Sequence, residues 1–251
     1  MKEKVQIADG YTIGGVTVDM KYYTGADVYS DGSIEDEILA ALKEERADKM
    51  LHEDNRWAVL YHLSPERENL LSWLDIEKDK TVLEIGCGCG AITGVLARKA
   101  KAVDSIEISP RRAEIAAYKN ADCDNVTIHV GNLNNMEFTQ KFDYVTLIGV
   151  LEYAGRFTKG ENPYVDFLAK CRSFLKPNGV LIVAIENRLG MKYFSGALED
   201  HTGKLFDGIT DYENYSGVKT FSRSELSNVL TKAGFAGGGR IFLPVSRLQT
   251  A

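Results

Sequence analysis

The stretch Val82 to Gly94, VLEIGCGCGAITG, constrains this chain more than any other. Val82 to Ile85 read as a short apolar strand with one acid, Glu84, near its carboxyl end. Gly86, Gly88 and Gly90 then alternate with Cys87 and Cys89, and Ala91 to Ala97 open a helix with an apolar face. Strand, glycine turn and helix start together let a backbone lie directly against a nucleotide-like ligand. Cβ atoms at 86, 88 and 90 would hold such a ligand off or forbid the turn. Glu84 stands where open α/β sheets bind ligands, at the carboxyl end of a strand.

Two ligands compete for this loop. Gly86, Gly88 and Ala91 satisfy the dinucleotide spacing G-x-G-x-x-G/A. The acid at 84 and the third glycine at 90 discriminate. The pyrophosphate of NAD gains nothing from a neighbouring acid. S-adenosyl-L-methionine has no phosphate; its methionine end carries an ammonium beside a sulfonium, and an acid suits both cations. On these residues the chain resembles the class I S-adenosylmethionine-dependent methyltransferases. Their first motif, acid-x-Gly-x-Gly-x-Gly, is matched by Glu84-Ile85-Gly86-Cys87-Gly88-Cys89-Gly90. The resemblance implies a Rossmann-like α/β fold, a mostly parallel doubly wound sheet with helices on both faces. It also implies S-adenosyl-L-homocysteine as the product of the cofactor. An NAD(P)-dependent Rossmann oxidoreductase and a non-catalytic S-adenosylmethionine-binding module are the alternatives.

A chain of 251 residues is one large domain, or a domain plus an extension, and can bury a sizeable core. Its formal net charge of −6 speaks against a dedicated nucleic-acid binder. No apolar run approaches the ~20 residues of a membrane span. The start, MKEKVQIADG, has no apolar signal-peptide segment. The four cysteines, Cys87, Cys89, Cys123 and Cys171, include no second pair at zinc spacing. The expectation is reduced thiols, no metal and a cytoplasmic protein.

Taken in order, residues 1–63 read as an extension and helical cover, and 64–251 as the methyltransferase core. Asp9-Gly10 and Gly14-Gly15 signal turns between short β segments. These segments read as a small sheet packed on the domain, or as a flap whose aromatics, Tyr22 and Tyr23, cover a ligand. Ser33-Ile34-Glu35-Asp36 predicts a capped helix running to about Leu51. A helix over 56–61 follows, and Ser64-Pro65 predicts another through Leu74. Strands are predicted at 81–85, 102–108, 126–130, 142–148 and 180–185, with helices after Ser109-Pro110 and over 163–175. Lys176-Pro177-Asn178-Gly179 reads as a turn. Residues 186–221 form a long insertion, Ser222 to Glu225 a capping box, and Arg240 to Leu243 a late strand. The final antiparallel strand of the fold is expected to be short or missing.

Glu107 ends the second core strand, where an acid can accept both ribose hydroxyls. The resemblance implies an Asp after the third strand, contacting the adenine amino group. Asn132 stands there instead, and its carbonyl oxygen can still accept. Leu133 would add an apolar contact to adenine. The backbone after the fourth strand should pass the methionine part of the cofactor, at Gly149. With Cys87 in the loop and Ile108 beside Glu107, the implied cofactor set is Glu84, Gly86, Cys87, Gly88, Gly90, Glu107, Ile108, Asn132, Leu133 and Gly149.

Glu152 and Tyr153 would face the methyl acceptor or the cofactor rim. The insertion is rich in groups that bind polar acceptors: Asn187, Arg188, Lys192, Tyr193, Glu199, Asp200, His201, Asp207, Tyr212 and Tyr215. His201 is the natural general base, with Glu199 or Asp200 to orient it. His62 is the second candidate. The predicted catalytic residues are therefore His201 and Glu152. No Pro-Pro-aromatic run follows the fourth strand, and no Pro-Cys nucleophile accompanies Glu186-Asn187-Arg188, so nucleic-acid methylation is not expected. The segments YYTGADVYSDG, LYHLSPERENLL and AIENRLGMKYFSGALEDHTGKLFDG resemble a bacterial subgroup associated with glycosyltransferases of cell-surface polysaccharide synthesis. That resemblance implies a small or saccharide-type acceptor and an O-methyl transfer.

Overall fold

The computed structural model describes residues 2–25 and 29–235, which fall into two compact units, Met1–Val145 and Thr146–Ala251. The predicted strand at 240–243 lies outside the described residues. The fold is the Rossmann-like class I methyltransferase fold, built on a mostly parallel sheet with helices packed against it.

The first unit begins with a meander of β1 (Lys4–Ile7), β2 (Gly10–Ile13) and β3 (Val16–Asp19). Both predicted turns form. Gly14 sits at φ 57°, and a Cβ there would lie 2.2 Å from the Ala121 carbonyl oxygen. Only glycine lets that turn settle on Ala121, which accepts the Gly15 N–H at 2.9 Å. The meander is not a separate small sheet. β3 pairs in parallel with β6 (Val126–Val130), in register Thr17 to Thr127, Val18 to Ile128 and Asp19 to His129. It thus covers an edge of the core sheet that would otherwise offer unpaired N–H and C=O groups. The strand order in this unit is β1-β2-β3-β6-β5-β4, with β4 (Thr81–Ile85) and β5 (Ala102–Glu107) parallel to each other and to β6. The start of β7 (Phe142–Ile148) is tied to β4, because the Thr81 N–H and hydroxyl both donate to Asp143 Oδ2.

Before β4 come α1 (Ile34–Lys43), α2 (Ala47–Glu53), α3 (Trp57–Leu63), a 3₁₀ turn at Pro65–Glu68 and α4 (Asn69–Ser72). The one helix expected through Leu51 is two. Glu45 takes a left-handed φ of 55° and the Arg46 N–H turns back to the Ala41 carbonyl, which ends α1. Ser33 makes no side-chain cap, contrary to the predicted capping box. Ser64 does cap, accepting from the Glu66 N–H. The cover packs through Ile38, Val59 and Leu63 onto Cys89 of the glycine loop and Ile115 of α6 (Pro110–Lys119). α5 (Thr93–Lys99) follows the loop, and Ser109 caps α6 by accepting the Arg112 N–H.

The second unit carries the end of β7, a 3₁₀ turn at Leu151–Tyr153, α7 (Ala154–Phe157), α8 (Pro163–Ser173), β8 (Leu175–Ala184), α9 (Met191–Phe194) and α10 (Arg223–Lys232). β8 begins five residues earlier than the predicted strand, so Lys176 to Gly179 is extended rather than a turn. Residues 176 to 178 are exposed, and the N–H that Pro177 lacks therefore costs nothing there. The capping box at Ser222 and Glu225 forms in both halves. The insertion is closed at its base: Asn187 bridges to Phe221, and Arg188 grips Glu225 through two bonds of 2.7 Å each.

Candidate functional site

In the glycine loop of the first unit every second residue is left-handed, with φ of 71°, 55° and 74° at Gly86, Gly88 and Gly90. The three glycines have different reasons to be there. A Cβ at Gly90 would lie 2.5 Å from Asn120 Nδ2 and 2.8 Å from Ala116 Cα, so Gly90 allows α6 to pack against the loop. A Cβ at Gly88 would meet nothing within 4 Å, so the space over Gly88 is free for a ligand. The Gly86 and Cys87 N–H groups are taken by the Ile106 carbonyl at 2.8 and 3.1 Å, which pins the loop to β5. Cys87 and Cys89 are buried free thiols, and burial pushes both well above their usual range.

Two buried acids flank this loop. Glu84 accepts the Thr93 hydroxyl at 2.8 Å and the Ser105 hydroxyl at 2.7 Å. Burial pushes its carboxyl up to about 7, although both hydroxyls favour the charged form. A cation brought to this carboxylate restores its charge. Glu107 accepts the Gly88 N–H at 2.8 Å through Oε2 and the Ser109 N–H at 2.9 Å through Oε1. Burial raises its pKa too, opposed by these N–H donors and by Arg112. Ile108, next to it, is half-buried. Asn132 turns its side-chain oxygen onto the Asn134 N–H at 2.9 Å, which leaves that carbonyl one further lone pair for a donor. Leu133 is buried. Tyr22 lies beside this end: its backbone oxygen would stand 2.5 Å from a Cβ at Gly131, and its hydroxyl donates to the Glu137 carbonyl.

In the second unit, Gly149 has φ 67° and donates its N–H to the Ala184 carbonyl at 2.9 Å. The 3₁₀ turn just beyond it carries Glu152, which is buried. His201 comes from the insertion and meets Glu152, with Nε2 3.7 Å from Glu152 Oε1. The other ring nitrogen, Nδ1, is 3.1 Å from Glu199 Oε1. Glu199 is fixed by the His201 and Thr202 N–H groups, each 2.7 Å from Oε2, and by the Tyr212 hydroxyl. Burial favours a neutral imidazole at His201, but Glu152 and Glu199 outweigh it and push its pKa up to about 10. Burial likewise opposes the Glu199 carboxylate, yet His201 and the two N–H donors hold it at about 2. Glu152 is shifted up by burial, with His201 pulling the other way. The ring edge of His201 also meets Tyr153, centroids 5.5 Å apart.

Residues 83–181 match the family model described as a methyltransferase domain. The stretch that contains the glycine loop is therefore similar to a methyltransferase domain. Among curated proteins, the chain is 31% identical over 158 residues to the mitochondrial ubiquinone biosynthesis O-methyltransferase of Schizosaccharomyces pombe, covering 60% of this chain and 53% of that protein. It is 28% identical over 138 residues to protein arginine N-methyltransferase 2 of Dictyostelium discoideum, covering 53% of this chain and 25% of that protein. The chain thus spans about half of one of these relatives and a quarter of the other. A solved structure assigned as an O-methyltransferase, from Nostoc punctiforme PCC 73102, superposes with a TM-score of 0.53 at 13% identity over 84% of this chain and 57% of that one. This likeness concerns the fold.

Within the matched stretch, the structure gathers Glu84, Gly86, Cys87, Gly88, Gly90 and Glu107 around one loop. His62 belongs to the first unit, buried with Nε2 2.9 Å from Asp31 Oδ2. Much of the insertion's polar content is engaged internally. Arg188 holds Glu225 and the Gly208 carbonyl, Lys192 and Tyr193 both hold Asp200, and Tyr212 binds Glu199 and Thr220. One acid was not singled out from the sequence as a site residue: Glu186 lies with Glu152 and His201, one ligand atom of each within 4.8 Å of the others. Its signal was position, two residues past the end of β8, the kind of place that had already marked Glu84 and Glu107.

Proposed function

We propose that this protein moves the methyl group of S-adenosyl-L-methionine to an oxygen of a small or saccharide-type polar acceptor, in the cytoplasm. One observation carries the cofactor reading: a buried acid, Glu84, and a ribose-type acid, Glu107, flank a glycine loop that leaves the space above Gly88 open. An anionic pyrophosphate gains nothing from Glu84, which speaks against a nicotinamide cofactor; Glu107 suits the ribose of either. In the transfer, the acceptor oxygen attacks the methyl carbon as the carbon–sulfur bond breaks, S-adenosyl-L-homocysteine leaves, and the hydroxyl proton is lost. Much of the rate comes from aligning oxygen, carbon and sulfur. The oxygen acceptor follows the relatives named O-methyltransferases, and the saccharide class follows the resemblance of three segments to polysaccharide-associated methyltransferases.

We assign Glu152 and His201 to the acceptor. In the arrangement described, His201 holds a proton, so it can receive the acceptor's proton only after losing its own. Calorimetry with S-adenosyl-L-homocysteine, S-adenosyl-L-methionine and NAD tests the cofactor. Tight NAD binding without a signal from S-adenosyl-L-homocysteine refutes it. A screen of sugar nucleotides and oligosaccharides, read by S-adenosyl-L-homocysteine release, tests the acceptor class.

A further inference from the structure

In the second unit, two buried carboxylate oxygens find no hydrogen-bond donor among the described residues. They are Glu152 Oε2 and Glu186 Oε2, both closed to solvent. Glu152 itself is 2% exposed. A buried, unpaired carboxylate oxygen is costly, so a partner of positive charge is called for.

His201 stands at the same point and is already oriented. Its Nδ1 is 3.1 Å from Glu199 Oε1, and Glu199 is anchored by two backbone N–H groups and by Tyr212. A carboxylate behind one ring nitrogen is the usual device that turns the other nitrogen toward a metal. That other nitrogen, Nε2, lies 3.7 Å from Glu152 Oε1, beyond hydrogen-bond reach. One ligand atom each from Glu152, Glu186 and His201 lies within 4.8 Å of the other two. Around one ion with bonds of ~2.1 Å, adjacent ligand atoms stand about 3 Å apart, so modest side-chain shifts bring them to coordination distance.

We infer that Glu152, Glu186 and His201 bind one first-row divalent cation, such as Mn²⁺ or Zn²⁺, with Glu199 as the orienting group behind His201. Two carboxylate oxygens and one imidazole nitrogen suit these ions better than Mg²⁺ or Ca²⁺, which prefer all-oxygen shells. The cation takes the place of the Nε2 proton, which passes to solvent. All the residues involved belong to one unit, and the inference does not depend on the methyl acceptor or on the cofactor.

The test uses the full chain, stripped with a chelator and without cofactor or acceptor. Mn²⁺ is added and its free form followed by electron paramagnetic resonance, with Zn²⁺ as a competitor. The expected result is saturable binding of a single Mn²⁺ per chain, displaced by Zn²⁺, with a nitrogen coupling in the pulsed spectrum. Glu186→Gln should weaken binding roughly 10–100-fold. Glu213→Gln, at an exposed acid of the same insertion, should leave it unchanged. The inference fails if the unaltered protein binds neither ion saturably, or if bound Mn²⁺ shows no nitrogen coupling. It also fails if Glu186→Gln binds as tightly as the parent. The first two criteria use the unaltered chain, so a variant that misfolds does not shield the proposal.

Discussion

Glu107 Oε2 accepts the Gly88 N–H at 2.8 Å, which ties the end of β5 to the glycine loop that follows β4. One carboxylate thus braces the loop from the side while its other oxygen holds the Ser109 N–H at the start of α6. The acid assigned to the ribose is therefore set in place before any ligand arrives, which limits the ordering cost of binding.

Glu107→Ala should weaken binding of S-adenosyl-L-homocysteine. Each hydrogen bond to a charged group contributes on the order of 1.5–3 kcal/mol, so the loss is at least about tenfold. Calorimetry on the folded variant measures it. Unchanged affinity means that Glu107 does not hold the ribose.

Gly88→Ala and Gly90→Ala should fail in opposite ways. Both residues have positive φ, which costs a side chain roughly 1–3 kcal/mol. At Gly90 the new methyl also collides with Asn120 and Ala116, adding about 1–3 kcal/mol of overpacking. Denaturant melts should show the larger loss at Gly90, and calorimetry the larger relative loss of cofactor affinity at Gly88. Equal effects of the two substitutions on both measurements contradict the division of roles.

Glu84 should make the protein less stable as pH rises from about 4.5 to about 7. Burial lifts its folded pKa to about 7 from an ordinary 4.5, so the folded state holds the proton more tightly. That contribution is complete below pH 4.5 and lost as pH passes through 7. Glu84→Gln removes the titration, so it should gain on the parent by on the order of 3 kcal/mol between pH 4.5 and 8. The same change should weaken binding of the cationic cofactor. Melting both proteins across this range, with and without S-adenosyl-L-methionine, separates the two effects; parallel melting profiles disprove the first.

His129 lies on β6 between Asp19 of β3 and Asp104 of β5, at 2.9 and 2.8 Å. Burial opposes its charge, but the two carboxylates prevail and raise its pKa above 6.5. The pairing therefore stabilises the fold fully below pH 6.5 and is lost as pH rises through the higher folded value. His129→Gln should flatten the fall of stability above pH 6.5 and loosen the meander, seen as faster amide exchange in residues 4–19. If the variant loses stability with pH as steeply as the parent, the clamp carries no charge.

His201→Ala should lower methyl transfer about 10²–10⁴-fold while leaving the affinity for S-adenosyl-L-homocysteine unchanged. Proton acceptance and cation binding both need the ring, so either role predicts the loss. Turnover on the acceptor found by the screen, set beside calorimetry, measures it. A variant with parental turnover removes His201 from the acceptor assignment.

The core strands and the cofactor loop were legible along the chain because their determinants are local. Thr81–Ile85, Val126–Val130 and Phe142–Ile148 are short apolar or alternating runs bounded by turn residues, and they form at the expected positions. Glycines that need left-handed φ and an acid at a strand end declare themselves by type and spacing. The capping box at Ser222 and Glu225 is equally local, since both partners lie within one turn. What tertiary structure decided depends on contacts between distant segments. Strand alternation in Val16–Asp19 does not name a partner, and only the register with Thr127 to His129 made the meander part of the core sheet. The break at Glu45 is set by a backbone conformation that no residue type at that point requires. The meeting of Glu152, Glu186 and His201 joins a turn, a strand end and a loop. Local sequence rules carry no term for proximity at such separations, and packing alone brought the three together.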